Sequence, residues 1–254
     1  KWKKIPFFSR LIFNKFDICL AQNNETKNYL KKLGAKNIKK LGNLKFSETS
    51  LKNINKINKD TKKFFDLKRI LFGAISTHQE EEIFCAKIHA DLKKKYINGV
   101  TIVIPRHVHR SSNIKEEIEN IGLKVHLHSS GEKIDSKTDI YLVDTFGETK
   151  LFIKICNIVF LGGSLIHHGG QNPIEAARLG CKVIHGPNID NFSEVYNLLY
   201  KNNISSKIKT TKQAKSIIQK NINNTFSSKK IRKKLNSIGN KVLSSNEKEI
   251  SKYI

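Results

Sequence analysis

The stretch SLIHHGGQNPIEAARLG, residues 164–180, places two histidines and two glycines directly before a well-specified helix start. Asn172 suits the N-cap, Pro173 suits the first helical position, and Glu175 lies where a capping-box carboxylate belongs. Free N–H groups at a helix N-terminus attract anions, and the upstream glycines allow a ligand to approach the backbone closely. The pattern predicts either a phosphate-binding turn or an ordinary capped helix, and this stretch alone leaves both interpretations open.

Polar segments follow three other apolar runs, namely STHQEEE after RILFGAI, PRHVHR after VTIVI, and TFGE after IYLVD. Thr77 with Glu80 would form a capping box. His78, which follows the strand at the edge of the expected crevice, is interpreted as a ligand-binding residue, with a buried core histidine as the alternative. Arg106 is interpreted as an anion-binding residue, with a structural salt bridge as the alternative. Together the four segments predict a single ligand crevice.

The histidines do not form a metal-binding pattern. His167 and His168 are adjacent rather than one helical turn apart, and His107 and His109 are expected at the surface. No metal or cofactor is therefore predicted.

Six apolar runs are expected to form the strands that position these segments. They lack polar alternation, as strands buried on both faces do, and amphipathic segments separate most of them. The predicted strands are residues 69–76, 100–105, 124–128, 139–144, 158–163 and 182–186. The fold class is therefore α/β, with a doubly wound parallel sheet that binds ligands beyond the carboxyl ends of its strands.

The flanking regions have a different organisation. Residues 16–44 predict a strand, a helix and a strand, with Asn24 capping the helix and Gly34 ending it. Residues 45–67 are rich in lysine and asparagine and lack periodicity, which is typical of a linker. The tail from residue 210 predicts two polar helices.

The net charge of +25 raises the hypothesis of a nucleic-acid-binding protein. Lysine is absent, however, from residues 69–86, 96–114 and 155–181, which contain the glycine-rich and histidine-rich segments. The sequence has neither zinc-finger spacing nor an RNA-recognition signature. A solvated basic surface, or attraction to an anionic membrane face, is therefore favoured, and no nucleic-acid partner is expected.

Cysteine usage and hydropathy indicate the compartment. Cys19, Cys85, Cys156 and Cys181 lie apart in apolar runs, as reduced thiols of a cytoplasmic protein do. No apolar stretch approaches the ~20 residues needed to span a bilayer, and no signal peptide is visible. The chain contains no methionine, even at position 1, so it is expected to be a fragment of a longer protein.

Five segments, taken in order, resemble one known family. GNLKF, STHQEEE, IPRHVHR, DTFGE and GGSLIHHGGQNPIEAARLG are similar to motifs of the bacterial 3-deoxy-manno-octulosonic acid (Kdo) transferases. The resemblance extends from FDICLAQ to about residue 200. It implies the two-domain GT-B glycosyltransferase fold and a membrane-associated enzyme that transfers Kdo from CMP-Kdo to lipid A.

The resemblance also implies site residues. The implied CMP contacts are Pro105, Arg106, Phe146, Gly147, Glu148, Asn172, Pro173, Ile174 and Glu175. Further implied donor contacts near the crevice are Asn43, Lys45, Ser76, Thr77, His78, Gly169 and Gly170. Under this interpretation the Glu175 carboxylate accepts hydrogen bonds from ribose hydroxyls, in competition with helix capping.

The implied reaction is metal-independent and inverting, at the cytoplasmic face of the inner membrane. The implied organisation is residues 1–45 as the end of the acceptor domain, 46–67 as a linker, 68–225 as the Rossmann-like CMP-sugar domain and 226–254 as a C-terminal helix. The membrane anchor and the catalytic carboxylate are expected upstream of residue 1. The chain is therefore expected to be inactive alone, and no general base is assigned in it.

Three positions depart from the family pattern. Glu80 stands where the family usually has glycine, Phe146 where it has methionine, and Gln171 where it often has histidine. None of these excludes donor binding, because an aromatic ring can still cover a base. Two other functions stay open, namely another GT-B enzyme such as a UDP-sugar transferase or epimerase, and a basic nucleic-acid-binding protein.

Overall fold

The computed structural model describes residues 2–47, 57–223 and 228–254, with no side-chain description for residue 3. The chain divides into two compact units, residues 1–50 with 233–254, and residues 51–232. The helices are α1 (Pro6–Phe13), α2 (Asn24–Lys32), α3 (Lys59–Leu67), α4 (Glu81–Lys93), α5 (Ser111–Glu119), α6 (Thr149–Ile155), α7 (Ile174–Arg178), α8 (Ser193–Lys201), α9 (Thr211–Asn223) and α10 (Ser228–Ile250). The strands are β1 (Cys19–Ala21), β2 (Ile38–Lys40), β3 (Arg69–Thr77), β4 (Gly99–Pro105), β5 (Val125–Leu127), β6 (Ile140–Leu142), β7 (Ile158–Leu161), β8 (Lys182–His185) and β9 (Ser205–Lys207).

The smaller unit contains the predicted strand–helix–strand segment, in which β1 and β2 pair in parallel. The helix between them, α2, is capped by Asn23, whose side chain accepts a hydrogen bond from the Thr26 N–H, so the prediction of Asn24 as the cap was wrong by one residue. Gly34 ends this helix with φ of 99°, and a side chain there would also meet Arg10. The glycine is therefore needed for both backbone conformation and packing.

The larger unit is a seven-stranded, entirely parallel sheet in the order β5-β6-β4-β3-β7-β8-β9. All six predicted strands are present, and the doubly wound parallel fold is confirmed. β9 was not predicted, because Ser205–Lys207 is a short polar segment at the sheet edge. Among the helices, α4 packs beside α5 and α9, and α6 packs beside α7.

The sheet is buried as its unalternating sequence predicts. Every residue of β4, β6 and β7 is buried, and α4 contributes Cys85, Ile88 and Leu92 to the same core. All four cysteines are free thiols, and burial raises the pKa of Cys181 to about 12. Among the helices of the described ranges, none has both the length and the apolarity that crossing a membrane requires.

The predicted linker contains a helix. α3 occupies Lys59–Leu67, with Asn58 accepting a hydrogen bond from the Thr61 N–H at 2.8 Å. Phe64 and Phe65 are buried and pack on the ring of Tyr141. The assignment of residues 59–67 as aperiodic was therefore wrong, because a single turn of aromatic residues was enough to fix the helix on the sheet; residues 48–56 lie outside the described part of the chain.

Candidate functional site at the carboxyl edge of the sheet

The order of the strands locates the crevice between β3 and β7. The chain leaves β3 to build β4, β6 and β5 on one side and then returns to β7 on the other. In doubly wound sheets the ligand lies outside the carboxyl ends of the strands at such a reversal. The segments that flank this point are STHQE, which begins in the last two residues of β3, and GGSLIHHGGQ after β7; both lie in segments that the sequence singled out.

The backbone at this point is unusually close-packed. The Gly162 N–H donates to the Ile75 carbonyl at 2.9 Å, and a Cβ at residue 162 would lie 2.2 Å from the Ser76 carbonyl oxygen. Ser76 itself has φ of 53°. A non-glycine residue in the left-handed region carries strain that the surrounding structure must hold. Ser76 and Gly162 therefore mark a backbone that is held in an uncommon conformation at the predicted site.

Three buried polar atoms beside this turn have no hydrogen-bond partner within the described chain, Thr77 Oγ1, His78 Nε2 and Glu82 Oε2. The His78 ring lies 4.4 Å from that of His168 and 5.7 Å from that of His107, measured between centroids. Burial, with the nearby imidazoles and arginines as smaller causes, lowers the pKa of His78 to about 4. His78 is therefore a neutral imidazole at pH 7 with an unused ring nitrogen.

Cationic groups surround the same turn. Arg110 Nη1 donates to Glu82 Oε1 at 3.2 Å, while burial of Glu82 raises the pKa of its carboxyl. Arg106 is exposed, its N–H donates to the Thr77 carbonyl at 2.9 Å, and its guanidinium takes part in none of the ion pairs found among the described residues. Pro105 ends β4 just before it. The salt-bridge interpretation of Arg106 therefore has no partner, and the anion-binding interpretation remains.

The loop after β6 is held from within the protein. Glu148 Oε2 accepts a hydrogen bond from Thr145 and lies 3.1 Å from His128 Nε2, and His128 Nδ1 lies 2.6 Å from the Tyr141 hydroxyl. Burial raises the pKa of Tyr141 to about 12, so its hydroxyl stays protonated. The predicted contact Glu148 is thus already engaged and orients its loop.

The tip of that loop is open. Phe146 is 81% exposed, and Gly147, with φ of 84°, has no atom within 4 Å of the place where a Cβ would stand. Little of this large apolar ring is covered by the part of the chain that the structure describes. Phe146 is therefore available to cover a planar ligand.

The helix start in the opening stretch differs from the prediction. α7 begins at Ile174, so Pro173 is the N-cap, and Asn172 Oδ1 accepts from the Ile174 N–H at 3.1 Å. Glu175 closes no capping box, and its Oε1 lies 2.8 Å from Nζ of Lys150. The capping-box prediction was wrong because the asparagine bonds two residues ahead in an Asx turn, which starts the helix one residue later.

The two glycines of this stretch serve the chain's own packing. Gly169 and Gly170 have φ of 88° and 75°, and a Cβ at Gly169 would lie 2.4 Å from the side-chain amide of Asn191. Asn191 also donates from its backbone N–H to the Gly169 carbonyl. The close approach that the sequence predicted at Gly169 is therefore made by Asn191.

Asn43 and Lys45 belong to the smaller unit. The Asn43 side chain accepts a hydrogen bond from the Lys45 N–H at 2.9 Å and caps a single 3-10 turn, Leu44–Phe46. Their assignment as donor contacts stays a prediction.

Comparison with known proteins gives the site its context. Residues 1–48 match a family model described as 3-deoxy-D-manno-octulosonic-acid transferase (kdotransferase). A 3-deoxy-D-manno-octulosonic acid transferase of Rickettsia bellii is 31% identical over 86% of this chain and 52% of its own length. One from Haemophilus influenzae is 26% identical over 100% of this chain and 59% of its own length.

The chain belongs to the family of 3-deoxy-D-manno-octulosonic acid transferases. It spans about half the length of the curated relatives that it matches. Among solved structures, the C-terminal CMP-Kdo binding domain of WaaA from Acinetobacter baumannii superposes with a TM-score of 0.63 at 26% identity, covering 72% of this chain and 94% of that domain. The α/β sheet is accordingly that of a GT-B glycosyltransferase.

Some functional candidates in this Kdo transferase chain were missed by the sequence analysis. Glu81, Arg110, His128 and Lys150 were not singled out. Their roles depend on partners such as Glu82, Glu148 and Glu175, which lie 28, 20 and 25 residues away. Within the described chain, no group of three His, Cys, Asp or Glu side chains is placed to hold a metal ion.

Proposed function

We propose that this chain binds CMP-Kdo and carries the donor-binding part of an enzyme that transfers Kdo to a lipid A precursor in lipopolysaccharide biosynthesis. The observation that carries the proposal is the crevice between β3 and β7, where the segments after β3 and β4 supply two arginines and buried polar atoms that have no partner among the described residues. The same sheet superposes on a domain described as binding CMP-Kdo. Residues 68–225 would form this donor domain, residues 1–45 the end of the acceptor domain and residues 226–254 a C-terminal helix.

The side chains suit the three parts of cytidine monophosphate. Arg106, exposed and in none of the ion pairs found among the described residues, supplies charge for the phosphate. Phe146 offers an uncovered ring for the base, and the half-exposed carboxylate of Glu175 can accept from ribose hydroxyls. His78 adds a neutral imidazole between the loops after β3 and β7.

In the proposed reaction these residues need only position the donor and stabilise the charge on the leaving phosphate. In an inverting transfer, the acceptor hydroxyl oxygen bonds to the anomeric carbon, its proton passes to a base, and the anomeric C–O bond breaks towards CMP. Negative charge grows on the departing phosphate oxygen, so fixed positive groups lower the barrier. Correct placement of the donor accounts for much of the remainder. No residue of this chain is assigned as the base.

The basic surface fits a location at the cytoplasmic face of the inner membrane, where anionic lipids attract lysine-rich proteins. CMP-Kdo and the lipid A precursor are the proposed partners, and the lysine-poor crevice argues against nucleic acid.

Calorimetry with CMP, UMP and a DNA duplex tests the proposal. Saturable binding of CMP that exceeds binding of UMP is expected. Preference for UMP would favour a UDP-sugar enzyme. Salt-dependent duplex binding with no mononucleotide affinity would replace the proposal with a nucleic-acid function.

A further inference from the structure

One buried carboxylate connects the two loops that flank the crevice. Glu81, the first residue of α4, is 1% exposed. Its Oε2 accepts hydrogen bonds from the backbone N–H groups of His78, at 3.0 Å, and Gly163, at 2.7 Å. Its Oε1 accepts from those of Ser164, at 3.0 Å, and Leu165, at 2.9 Å. A single side chain thus satisfies four backbone donors on both sides of the strand reversal.

The carboxylate continues the connection between β3 and β7 beyond the sheet. The last ladder hydrogen bond joins the Gly162 N–H to the Ile75 carbonyl, and the chains then separate into their loops. Just past that point Glu81 joins His78 to Gly163. Buried N–H groups that lose their acceptor carry a full desolvation cost, so this carboxylate fixes where both loops lie.

The imidazoles of the crevice depend on the same connection. A Cβ at Gly163 would lie 3.0 Å from Cδ2 of His168 and 3.4 Å from Nε2 of His78. The Gly163 backbone, which donates a hydrogen bond to Glu81, therefore lies against both histidine rings. The position of Gly163 therefore sets the space beside His78 Nε2, a nitrogen that has no partner among the described residues.

We propose that Glu81 is a positioning residue of the donor site: its carboxylate sets the distance between the loops after β3 and β7, and thereby the geometry in which the nucleotide phosphate is bound. This rests on the proposed function. Glu81 touches no ligand in this role, because all four of its hydrogen bonds go to the protein backbone.

The substitution Glu81→Gln removes the charge and keeps the size of the side chain. A carboxylate accepts through both oxygens, whereas an amide accepts through one and presents N–H donors on the other side. Either orientation of glutamine sets its N–H groups against two backbone N–H groups, those of Ser164 and Leu165 or those of His78 and Gly163. CMP affinity is expected to fall at least tenfold, and the amide protons of Gly163, Ser164 and Leu165 are expected to exchange faster with solvent.

The matched control is Asp139→Asn. Asp139 is also a buried carboxylate, held by Lys93 Nζ at 2.8 Å and by the Lys124 N–H at 2.9 Å, but it precedes β6 at the opposite edge of the sheet. Loss of its charge is expected to lower the thermal midpoint while CMP affinity stays within twofold of the wild type. A purely structural role of Glu81 predicts the same pattern for both variants.

Chemical rescue gives a second measurement. Glu81→Ala leaves a space lined by four N–H donors, and formate carries the missing pair of oxygens. Millimolar formate is expected to restore CMP binding to Glu81→Ala and to leave the wild type and Asp139→Asn unaffected. If Glu81→Gln does not fold, Glu81→Asp, which retains the charge on a shorter stem, takes its place with the same measurements.

The outcomes separate the two proposals. CMP affinity of Glu81→Gln equal to that of the wild type, or no formate effect in Glu81→Ala, overturns the positioning role. A wild-type chain that does not bind CMP refutes the donor function instead. In that case the exchange rates of the Gly163, Ser164 and Leu165 amides test separately whether Glu81 fixes the loops. Unchanged rates in Glu81→Gln would overturn that role as well.

Discussion

Glu175 Oε1 lies 2.8 Å from Lys150 Nζ, an ion pair that joins α7 to α6. Both side chains are about half exposed, at 45% and 58%, so the pair contributes on the order of 0–1 kcal/mol to stability. The Glu175 carboxylate therefore does not cap the helix, and the exposed ion pair with Lys150 holds it only weakly. It remains accessible to the hydroxyl groups of a ligand.

Glu175→Gln is expected to weaken CMP binding by ~1 kcal/mol or more, since the amide loses charge assistance and one acceptor. The loss should be smaller for 2′,3′-dideoxy-CMP, which offers no hydroxyls. Lys154→Gln, which removes an exposed lysine from the last turn of α6, is the control, with CMP affinity expected unchanged. Equal losses for both ligands, measured by calorimetry, would exclude a ribose contact.

Arg106→Ala is expected to weaken CMP binding by about 1.5–3 kcal/mol, roughly ten- to a hundredfold, through loss of a charge-assisted phosphate contact. Its thermal midpoint should stay near that of the wild type, because the guanidinium has no ion-pair partner among the described residues. Arg69→Ala, at the start of β3, is the control for a lost positive charge. A lowered midpoint with unchanged affinity would make Arg106 structural.

Phe146→Ala should reduce CMP affinity by about 1–3 kcal/mol if the ring stacks on the base. Its 81% exposure predicts little change in stability. Ribose 5-phosphate, which has no base, should bind both proteins equally. Ile97→Ala, which truncates another side chain that is 78% exposed, is the control. A proportional loss for ribose 5-phosphate would contradict stacking.

His185 makes stability depend on pH. Burial lowers its pKa from 6.5 to about 4, so between these values the unfolded chain binds more protons than the folded one. Its contribution to stability is thus present above pH 6.5 and is lost as the pH falls towards 4. His185→Asn should show a smaller fall in urea midpoint between pH 7 and 4.5 than the wild type. The exposed His109→Asn should follow the wild type, and parallel curves for all three would refute the assignment.

The sheet was predictable because most of its strands can be recognised from their own local sequence. Apolar runs such as residues 100–105 and 158–163 are buried on both faces, and a continuous apolar run is what that environment selects. The short edge strand Ser205–Lys207 was missed, because backbone pairing alone defines it. α3 was missed because its aromatic pair occupies one turn within a polar segment.

The candidate site was predictable only as a set of loops. The sequence indicates which segments follow strands, and topology then brings them to one edge. It does not indicate that Glu81 reaches Gly163, or that Glu175 meets Lys150, because those contacts depend on loop conformations fixed by distant partners. The assignment of individual residues to parts of CMP likewise stays a prediction.

Hydrogen bonds and ion pairs of two buried carboxylates, Glu81 and Asp139, hold helix α4 near both of its ends. Its first residue, Glu81, holds the crevice loops, and its later turns reach Asp139 through Lys93 and through His89, whose Nε2 lies 3.6 Å from the carboxylate. A chimera that imports the loop after β7 from another glycosyltransferase must therefore import a helix start that matches it. Residues 76–93 and 162–171 should therefore be exchanged together to change the proposed donor site, because Glu81 in the first segment accepts the N–H groups of Gly163, Ser164 and Leu165 in the second.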